Sequence, residues 1–393
     1  MTSDARLRIA SRVLVALVLA GGCRADLSGK HDCETNAHCA AGRICVAGHC
    51  ADPSEVLPGV RNYVFVSSGK FPMRFATLAE ADERCSDAAR MGDLPGRFVA
   101  WLSAPSVDAR DRLGGARGWI RPDGTPFADT VADITGGRIF NPLSLDEFGH
   151  AVTGGIDDPI MTGTNELGLH AAGSSCNGWA ANQTGEALCG VAAATTVTWT
   201  DYTSLRCDRE ARLYCFGVDG AAPVAPSPAP SSAKLAFLSD ATFMARNGVA
   251  AADELCATEA ARLGSAGTFR VLMATSTAAA AARIGASAER VWVRPDGVAI
   301  NDGTGPGPFD GRPLLAPLNV TSAGRYLDVA ALTGASRADT IGSLDDSCND
   351  WSELVGGGAL TGRSSHVARW FYEGGARYAC DDGMVHVYCL QVD

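Results

Sequence analysis

The hexapeptide WIRPDG occupies residues 119–124, and the closely similar WVRPDG occupies residues 292–297. In both, proline fixes φ and the following glycine accepts a positive φ, which is typical of a hairpin turn after a short strand. A copied active-site loop and a copied hairpin corner would both produce such a pair. The rest of the sequence favours the hairpin corner, because the repetition extends far beyond the motif.

The cysteines repeat with the same offset of about 170 residues. The matching pairs are Cys85 with Cys256, Cys176 with Cys348, Cys207 with Cys380, and Cys215 with Cys389. One offset at so many points indicates a tandem duplication. We predict that repeat 1 covers residues 60–217 and that repeat 2 covers residues 234–393. Residues 218–233 are rich in Pro, Ala and Ser, which predicts an extended linker between the repeats.

Each repeat is predicted to be α+β. Alternating apolar residues at 63–67 and 235–239 predict an opening strand in each copy. The segments that follow place Cys85 and Cys256 on the apolar face of a helix, so both should point into a core. The glycine-rich stretch at 357–364 is expected to be a surface loop.

The N-terminus has the layout of a secretory signal peptide, with arginines ahead of a short apolar run, and we assign residues 1–22 to it. Residues 19–23 read LAGGC and resemble the bacterial lipobox, which implies that Cys23 is lipidated and that residues 23–32 form a tether. Arg24 follows the lipidated cysteine, so we expect an outer-membrane lipoprotein of the cell envelope. An ordinary signal peptide with a nearby free cysteine is the alternative.

A second cysteine cluster lies between the tether and repeat 1. Its four cysteines fall within residues 33–50, which is too short a segment to bury a core. We predict a small disulfide knob in which these cysteines pair among themselves, with the connectivity left open. They are Cys33, Cys39, Cys45 and Cys50. Three histidines nearby make a zinc site the alternative. Cys189 has no match in repeat 2 and is expected to be a buried free thiol or to form an intermolecular bridge.

Composition excludes some classes of partner. The chain of 393 residues carries a formal net charge of −11 and has no basic run. Such a chain repels nucleic acid and anionic lipid headgroups, so we expect no nucleic-acid partner and membrane contact through the lipid anchor alone. No cofactor-binding motif is found, and we predict neither a cofactor nor an enzyme.

The order of these features resembles the endostatin domain of certain collagens and a family of bacterial surface lipoproteins, both with a C-type-lectin-like fold. The shared features are a helix bearing a cysteine, a strand like GTFR, a long loop, the C-x-x-W motif, and two cysteines around a closing strand. The resemblance implies two tandem C-type-lectin-like domains preceded by the knob. It also implies the bridges Cys85–Cys215, Cys176–Cys207, Cys256–Cys389 and Cys348–Cys380.

Lectins of this fold bind Ca²⁺ and sugar through a Glu-Pro-Asn or Gln-Pro-Asp loop and a Trp-Asn-Asp run. Here Asn141-Pro142 lacks the preceding acid, and Thr200 stands where the asparagine is needed. The standard site is therefore broken, and we predict no metal ligands, with a different cation site in the acidic loop at 345–350 as the alternative. Residues near the C-x-x-W motifs remain as weak ligand-binding candidates. They are Asn177, Trp179, Asp345, Asp346, Asn349, Asp350 and Trp351.

The function that these features predict is non-catalytic recognition of an extracellular carbohydrate or protein. The ligand would contact the loops around residues 141–179 and 312–351. A structural envelope scaffold without a small ligand is the second hypothesis. A hydrolase that uses an unrecognised carboxylate site is the third.

Overall fold

The computed structural model describes residues 38–39, 44–46, 49–51, 59–152, 158–180, 184–285, 290–304, 309–352, 357–375 and 377–393. Over these residues the protein is mixed α+β, with many small sheets, few helices and several disulfide bridges. The predicted signal peptide, lipidation at Cys23 and the tether lie outside them.

The Cys-rich segment and repeat 1 supply the first twelve strands. Strands β1 Ile44–Val46 and β2 His49–Ala51 pair antiparallel in the Cys-rich segment. The strands of repeat 1 are β3 Asn62–Val66, β4 Phe71–Pro72, β5 Phe98–Ala100, β6 Trp119–Ile120, β7 Pro126–Ala128, β8 Ile160–Met161, β9 Glu186–Gly190, β10 Thr203–Arg206, β11 Glu210–Ala211 and β12 Tyr214–Gly217. Its right-handed helices are α1 Leu78–Met91 and α2 Val131–Thr135.

Repeat 2 supplies the remaining elements. Its strands are β13 Lys234–Leu238, β14 Phe269–Val271, β15 Trp292–Val293, β16 Ala330–Leu332, β17 Gly358–Arg363, β18 Arg377–Ala379 and β19 Tyr388–Gln391. Its right-handed helices are α3 Gly248–Arg262 and α4 Ala280–Ile284.

The two repeats share one sheet topology. The main sheet has the order β5-β12-β3-β6-β7 in repeat 1 and β14-β19-β13-β15 in repeat 2. The opening strand of each repeat pairs parallel with the strand before the RPDG turn and antiparallel with the closing strand. A second, three-stranded sheet has the order β8-β9-β10 or β16-β17-β18. The duplication in the sequence is thus also a duplication of topology.

One segment differs from its prediction. The glycine-rich stretch at 357–364 is not a surface loop, because most of it forms β17 between β16 and β18. Its glycines serve close packing: a Cβ on Gly362 would lie 1.7 Å from the carbonyl oxygen of Trp370. Glycine is required there because the neighbouring backbone occupies the space of a side chain.

Each long helix is fastened to the closing strand of its repeat. Cys85 on α1 and Cys256 on α3 are completely buried, as their position on the apolar face predicted. They form the bridges Cys85–Cys215 and Cys256–Cys389. The bridges Cys176–Cys207 and Cys348–Cys380 close the loop region. These are the four pairings that the resemblance implied.

The Cys-rich segment contains the bridge Cys39–Cys50, with 5.5 Å between the Cα atoms. This bridge removes two thiolates from the zinc alternative. Cys33 lies outside the described residues. Cys189 on β9 is free and buried, and burial raises the pKa of its thiol to about 12. The thiol is therefore protonated and shielded, so the prediction of a buried free thiol is confirmed.

The arginine and the aspartate of the repeated RPDG motif stabilise its turn by hydrogen bonds. Arg121 donates to the Asp123 carboxylate at 2.6 Å, and Arg294 donates to Asp296 at the same distance. Each arginine also donates to a proline carbonyl in a later loop. Arg121 donates to the carbonyl of Pro142 at 3.1 Å, and Arg294 donates to the carbonyl of Pro317 at 3.0 Å. The motif thus ties the hairpin corner to the loop that covers it, which is a structural role.

The linker does not begin as a free spacer. Val218 and Val224 are buried against repeat 1. The N–H of Ala222 donates to the carbonyl of Val60 at 2.8 Å, and the N–H of Val224 donates to Asp129 at 2.9 Å. The prediction of an extended spacer over all of 218–233 is therefore corrected: its first half packs on repeat 1.

The repeats contact each other directly. The N–H of Thr195 donates to the carbonyl of Ser365 at 3.0 Å, and the N–H of Val367 donates to the carbonyl of Ala193 at 2.9 Å. Apolar residues 191, 193 and 194 of repeat 1 belong to the same buried cluster as the core of repeat 2. We call this contact, between residues 191–202 and residues 363–370, the junction.

Candidate ligand-binding site

A groove of about 530 Å³ opens on the surface of repeat 2, and we call it the repeat-2 groove. One wall is the loop that follows β16, and the other is formed by β18 and the loop before it. The lining residues are Ala335, Ser336, Ile341, Gly342, Ser343, Asp346, Leu360, Tyr372, Gly375 and Arg377. Its volume falls within the range of small-ligand sites.

An ion pair spans the polar side of the groove. Arg377, the first residue of β18, donates through Nη2 to Asp346 Oδ1 at 2.6 Å. The hydroxyl of Ser343 donates to the other carboxylate oxygen at 2.7 Å and accepts from the Asp346 backbone N–H at 3.1 Å. The carboxylate is thereby held in one orientation. Half of the Arg377 side chain stays exposed, so its guanidinium is accessible to a ligand.

Apolar side chains flank this ion pair. Ile341 is 60% exposed and Tyr372 is 36% exposed, while Leu360 forms a buried floor. Tyr372 follows the buried residues Trp370 and Phe371, which fix its backbone against the core. The groove therefore presents an apolar surface beside fixed hydrogen-bonding groups, a combination that suits an amphipathic ligand.

The polar groove residues have no counterparts in repeat 1. Arg377 lies opposite Leu360 in the β17–β18 ladder, and Ser204 lies opposite Leu188 in the matching β9–β10 ladder. Aligning the C-x-x-W motifs places Ser174 at the position of Asp346. Aligning the tryptophans at 199 and 370 places Asp201 at the position of Tyr372. The groove chemistry thus belongs to repeat 2, whereas the fold belongs to both.

Repeat 1 carries a different feature at this location. Burial, and then a hydrogen bond with the carboxyl group of Glu166, raises the pKa of Asp201 above its usual value. Two carboxyl groups in contact favour sharing a proton, because two adjacent negative charges repel. In the sequence, Asp201 directly follows Thr200 and stands where the aspartate of the lectin Trp-Asn-Asp run would be. Glu166 gave no signal, since the two residues are brought together by the fold.

The two C-x-x-W motifs form left-handed turns. All four residues of Cys176–Trp179 have positive φ, from 49° to 73°, and those of Cys348–Trp351 range from 49° to 65°. In each turn, the backbone N–H of the tryptophan donates to the carbonyl of the serine four residues earlier. The distance is 2.7 Å for Trp179 and Ser175 and 2.6 Å for Trp351 and Ser347. The bridged cysteine and a buried tryptophan hold the two ends of the strained turn.

The structure of these turns excludes two of the predicted ligand-binding residues. Trp179 and Trp351 are buried, and their indole N–H groups donate to the carbonyls of Ser103 and Ala274, each at 2.8 Å. Neither ring can stack on a ligand, because both lie in the core. Asn177 remains exposed beside its tryptophan, but it does not line the repeat-2 groove.

The acidic candidates are engaged separately. Asp346 lines the groove, whereas the Asp350 carboxylate accepts from the N–H of Ser276 at 2.7 Å and from its hydroxyl at 2.6 Å. Asn349 and Asp345 are exposed outside the groove lining. Among the described residues, no group of three or more His, Cys, Asp and Glu side chains is arranged to hold a metal ion.

Sequence reasoning missed Ile341, Tyr372 and Arg377. A signal was present in the comparison of the two copies: the positions of Tyr372 and Arg377 differ in chemical character between repeats whose cysteines and buried tryptophans agree. Where two repeats share their core residues but differ on the surface, the differing residues are free to acquire a role.

No protein-family model matches the chain, and no curated protein matches it either. Within the ranges described above, no helix is both long enough and apolar enough to cross a membrane.

Proposed function

We propose that the chain is a non-catalytic ligand-recognition lipoprotein of the bacterial cell envelope, anchored in the outer membrane through Cys23. Each repeat is proposed to have the C-type-lectin-like fold of the endostatin resemblance. The matching sheet orders and the paired disulfides of the two repeats support that assignment. The repeat-2 groove is the proposed site, and its combination of fixed polar groups with exposed apolar surface carries the proposal.

The ligand class that suits the groove best is an extracellular carbohydrate. Sugars present hydroxyl pairs beside apolar ring faces, and the groove offers matching groups on its two sides. Arg377 would donate hydrogen bonds to hydroxyl oxygens, and Asp346 would accept from hydroxyl groups. Tyr372 would pack against a ring face. Because the groove charges are paired, a neutral sugar fits better than a strongly charged one.

The experiment that tests this proposal is a glycan-array screen of the purified chain, run with calcium and again with EDTA. Binding that survives EDTA and is lost in Tyr372→Ala supports the groove. Binding that EDTA abolishes would instead assign recognition to a cation site in the acidic loop. The absence of binding in both buffers would favour the structural-scaffold function.

A hydrolase was the third hypothesis from the sequence, and the contact between Asp201 and Glu166 is the observation that favours it. A carboxyl group with a raised pKa can act as a general acid. Incubating array glycans with the chain and analysing them by mass spectrometry tests this function. Cleavage that disappears in Asp201→Asn would establish it over simple recognition.

A further inference from the structure

One histidine lies buried inside the junction between the repeats. His366 is only 4% exposed, and its Nε2 lies 3.1 Å from the hydroxyl of Thr198 in repeat 1. The ring of Tyr202, also from repeat 1, lies 6.2 Å from the imidazole ring, centroid to centroid. His366 therefore joins the two repeats by a side-chain hydrogen bond beside the backbone pairing of the junction.

The charged groups that face His366 come from repeat 2. Asp328 precedes β16, while Arg363 and Arg369 lie on either side of His366 in sequence. Arg369 also donates to the hydroxyl of Tyr202 at 3.3 Å. The two arginines oppose a positive charge on the imidazole, and Asp328 favours one.

Asp328 is a buried carboxylate with one free oxygen. Its Oδ1 accepts from the guanidinium of Arg363 and, at 2.6 Å, from the hydroxyl of Ser365. Its Oδ2 is buried and has no hydrogen-bond partner within the described part of the chain. A buried acceptor without a partner is costly, so a cationic donor that reaches it would be stabilised.

We propose that His366 is an acid-sensitive latch between the repeats: neutral, it bonds to Thr198 and holds the junction closed, and protonated, it turns to Asp328 and releases repeat 1. Both partners are present in the structure, one in each repeat. Opening also separates the backbone pairs of the junction and exposes residues 191, 193 and 194, which are buried against repeat 2 in the closed state. The latch does not depend on the identity of the ligand.

The direction of the effect follows from proton linkage. Burial lowers the pKa of His366 to about 4 in the closed junction, and solvation on opening would return it towards about 6.5. An open state therefore binds protons more readily than the closed one. Between pH 7 and pH 4 the ratio of open to closed molecules should rise roughly 100-fold.

Small-angle X-ray scattering of the purified full chain from pH 7.5 to pH 3.5 tests the latch, with circular dichroism to follow folding of the repeats. We expect the radius of gyration to increase below about pH 6 while the dichroism stays unchanged. His366→Gln keeps a neutral hydrogen-bonding group and should remain compact. Thr198→Val weakens the closed state and should open at a higher pH than the wild type.

His386→Gln is the matched control. His386 is also buried in repeat 2, but its Nδ1 lies 2.8 Å from the carbonyl of Ser239, away from the junction. This variant should open at the same pH as the wild type. The proposal is overturned if His366→Gln opens at the wild-type pH, if the wild type stays compact to pH 4, or if expansion occurs only with unfolding.

Discussion

At the scale of single residues, the paired tryptophans show which side chains maintain the scaffold. Trp119 and Trp292 donate from the indole to carbonyls of the closing strands, of Gly217 at 2.9 Å and of Gln391 at 3.1 Å. Trp179 and Trp351 donate in the same way to backbone carbonyls just after β5 and β14, those of Ser103 and Ala274. A buried indole whose N–H is satisfied contributes packing without the cost of an unpaired donor.

Trp351→Ala should therefore act on stability. Removing a buried tryptophan costs about 3–5 kcal/mol of the free energy of unfolding. Tyr372→Ala, at the partly exposed groove wall, should cost about 1 kcal/mol or less. Urea denaturation of both variants gives the comparison. Equal losses would show that the assignment of one residue to the core and the other to the groove is mistaken.

At the scale of elements, the left-handed turns are the least expected feature. An L-residue in the left-handed region costs roughly 1–2 kcal/mol, and the C-x-x-W motif places three such residues in repeat 1 and four in repeat 2. The sequence shows only an asparagine and a glycine or aspartate between cysteine and tryptophan. Nothing local predicts the hand of the turn, because the disulfide and the buried indole impose it.

Gly178→Ala should destabilise repeat 1 by about 1–2 kcal/mol, since alanine at a φ of 73° is strained and its Cβ would lie 3.1 Å from Pro105. The neighbouring change Asn177→Gly should leave stability equal or raise it by up to about 1 kcal/mol, because glycine removes strain at a φ of 56°. Thermal unfolding of the two variants checks these opposite signs. Destabilisation by Asn177→Gly would contradict the strain argument.

The disulfides of repeat 2 should contribute to the free energy of unfolding in order of loop length. The bridge Cys256–Cys389 joins residues 133 apart, and Cys348–Cys380 joins residues 32 apart. In the chain-entropy model these are worth roughly 5 and roughly 4 kcal/mol. Double cysteine-to-alanine variants measured in urea should show that order. A larger loss from the shorter bridge would indicate that it acts through the strained turn that it anchors.

Much of the element order could be predicted from sequence, and the reasons are local. The helix bearing Cys85 shows its apolar face in its spacing, and the opening strands alternate. Strand β17 was missed because its glycines are typical of loops, and only contact with the backbone of Trp370 explains them. The groove was missed for a similar reason, since Asp346 and Arg377 meet only after the sheet has formed.

At the scale of the whole molecule, the junction changes how the duplication should be understood. Two repeats on a spacer would act as independent copies, but direct backbone pairing and a shared buried cluster join them here. The surfaces of the copies have also diverged, with an ion pair in one and a carboxyl pair in the other. We infer a single proposed site on a scaffold of two repeats.

This arrangement predicts a stability that falls in acid. The pKa of His366 is lowered to about 4 by burial, so the unfolded state binds its proton first as the pH falls below about 6.5. The contribution of neutral His366 is complete above that pH and decreases as the pH falls, until the junction opens. Urea midpoints should therefore fall more steeply for the wild type than for His366→Gln. Parallel curves would contradict this account.

The most direct test of the central claim is the affinity of the chain for the glycan that binds best in the array, measured by isothermal titration calorimetry in EDTA. We predict that Arg377→Ala weakens binding by about tenfold or more, or at least ~1.4 kcal/mol. Ser174 is the residue of repeat 1 that aligns with Asp346, and Ser174→Ala should bind like the wild type. Unchanged affinity in Arg377→Ala, or a loss in Ser174→Ala, would contradict a recognition site in the repeat-2 groove.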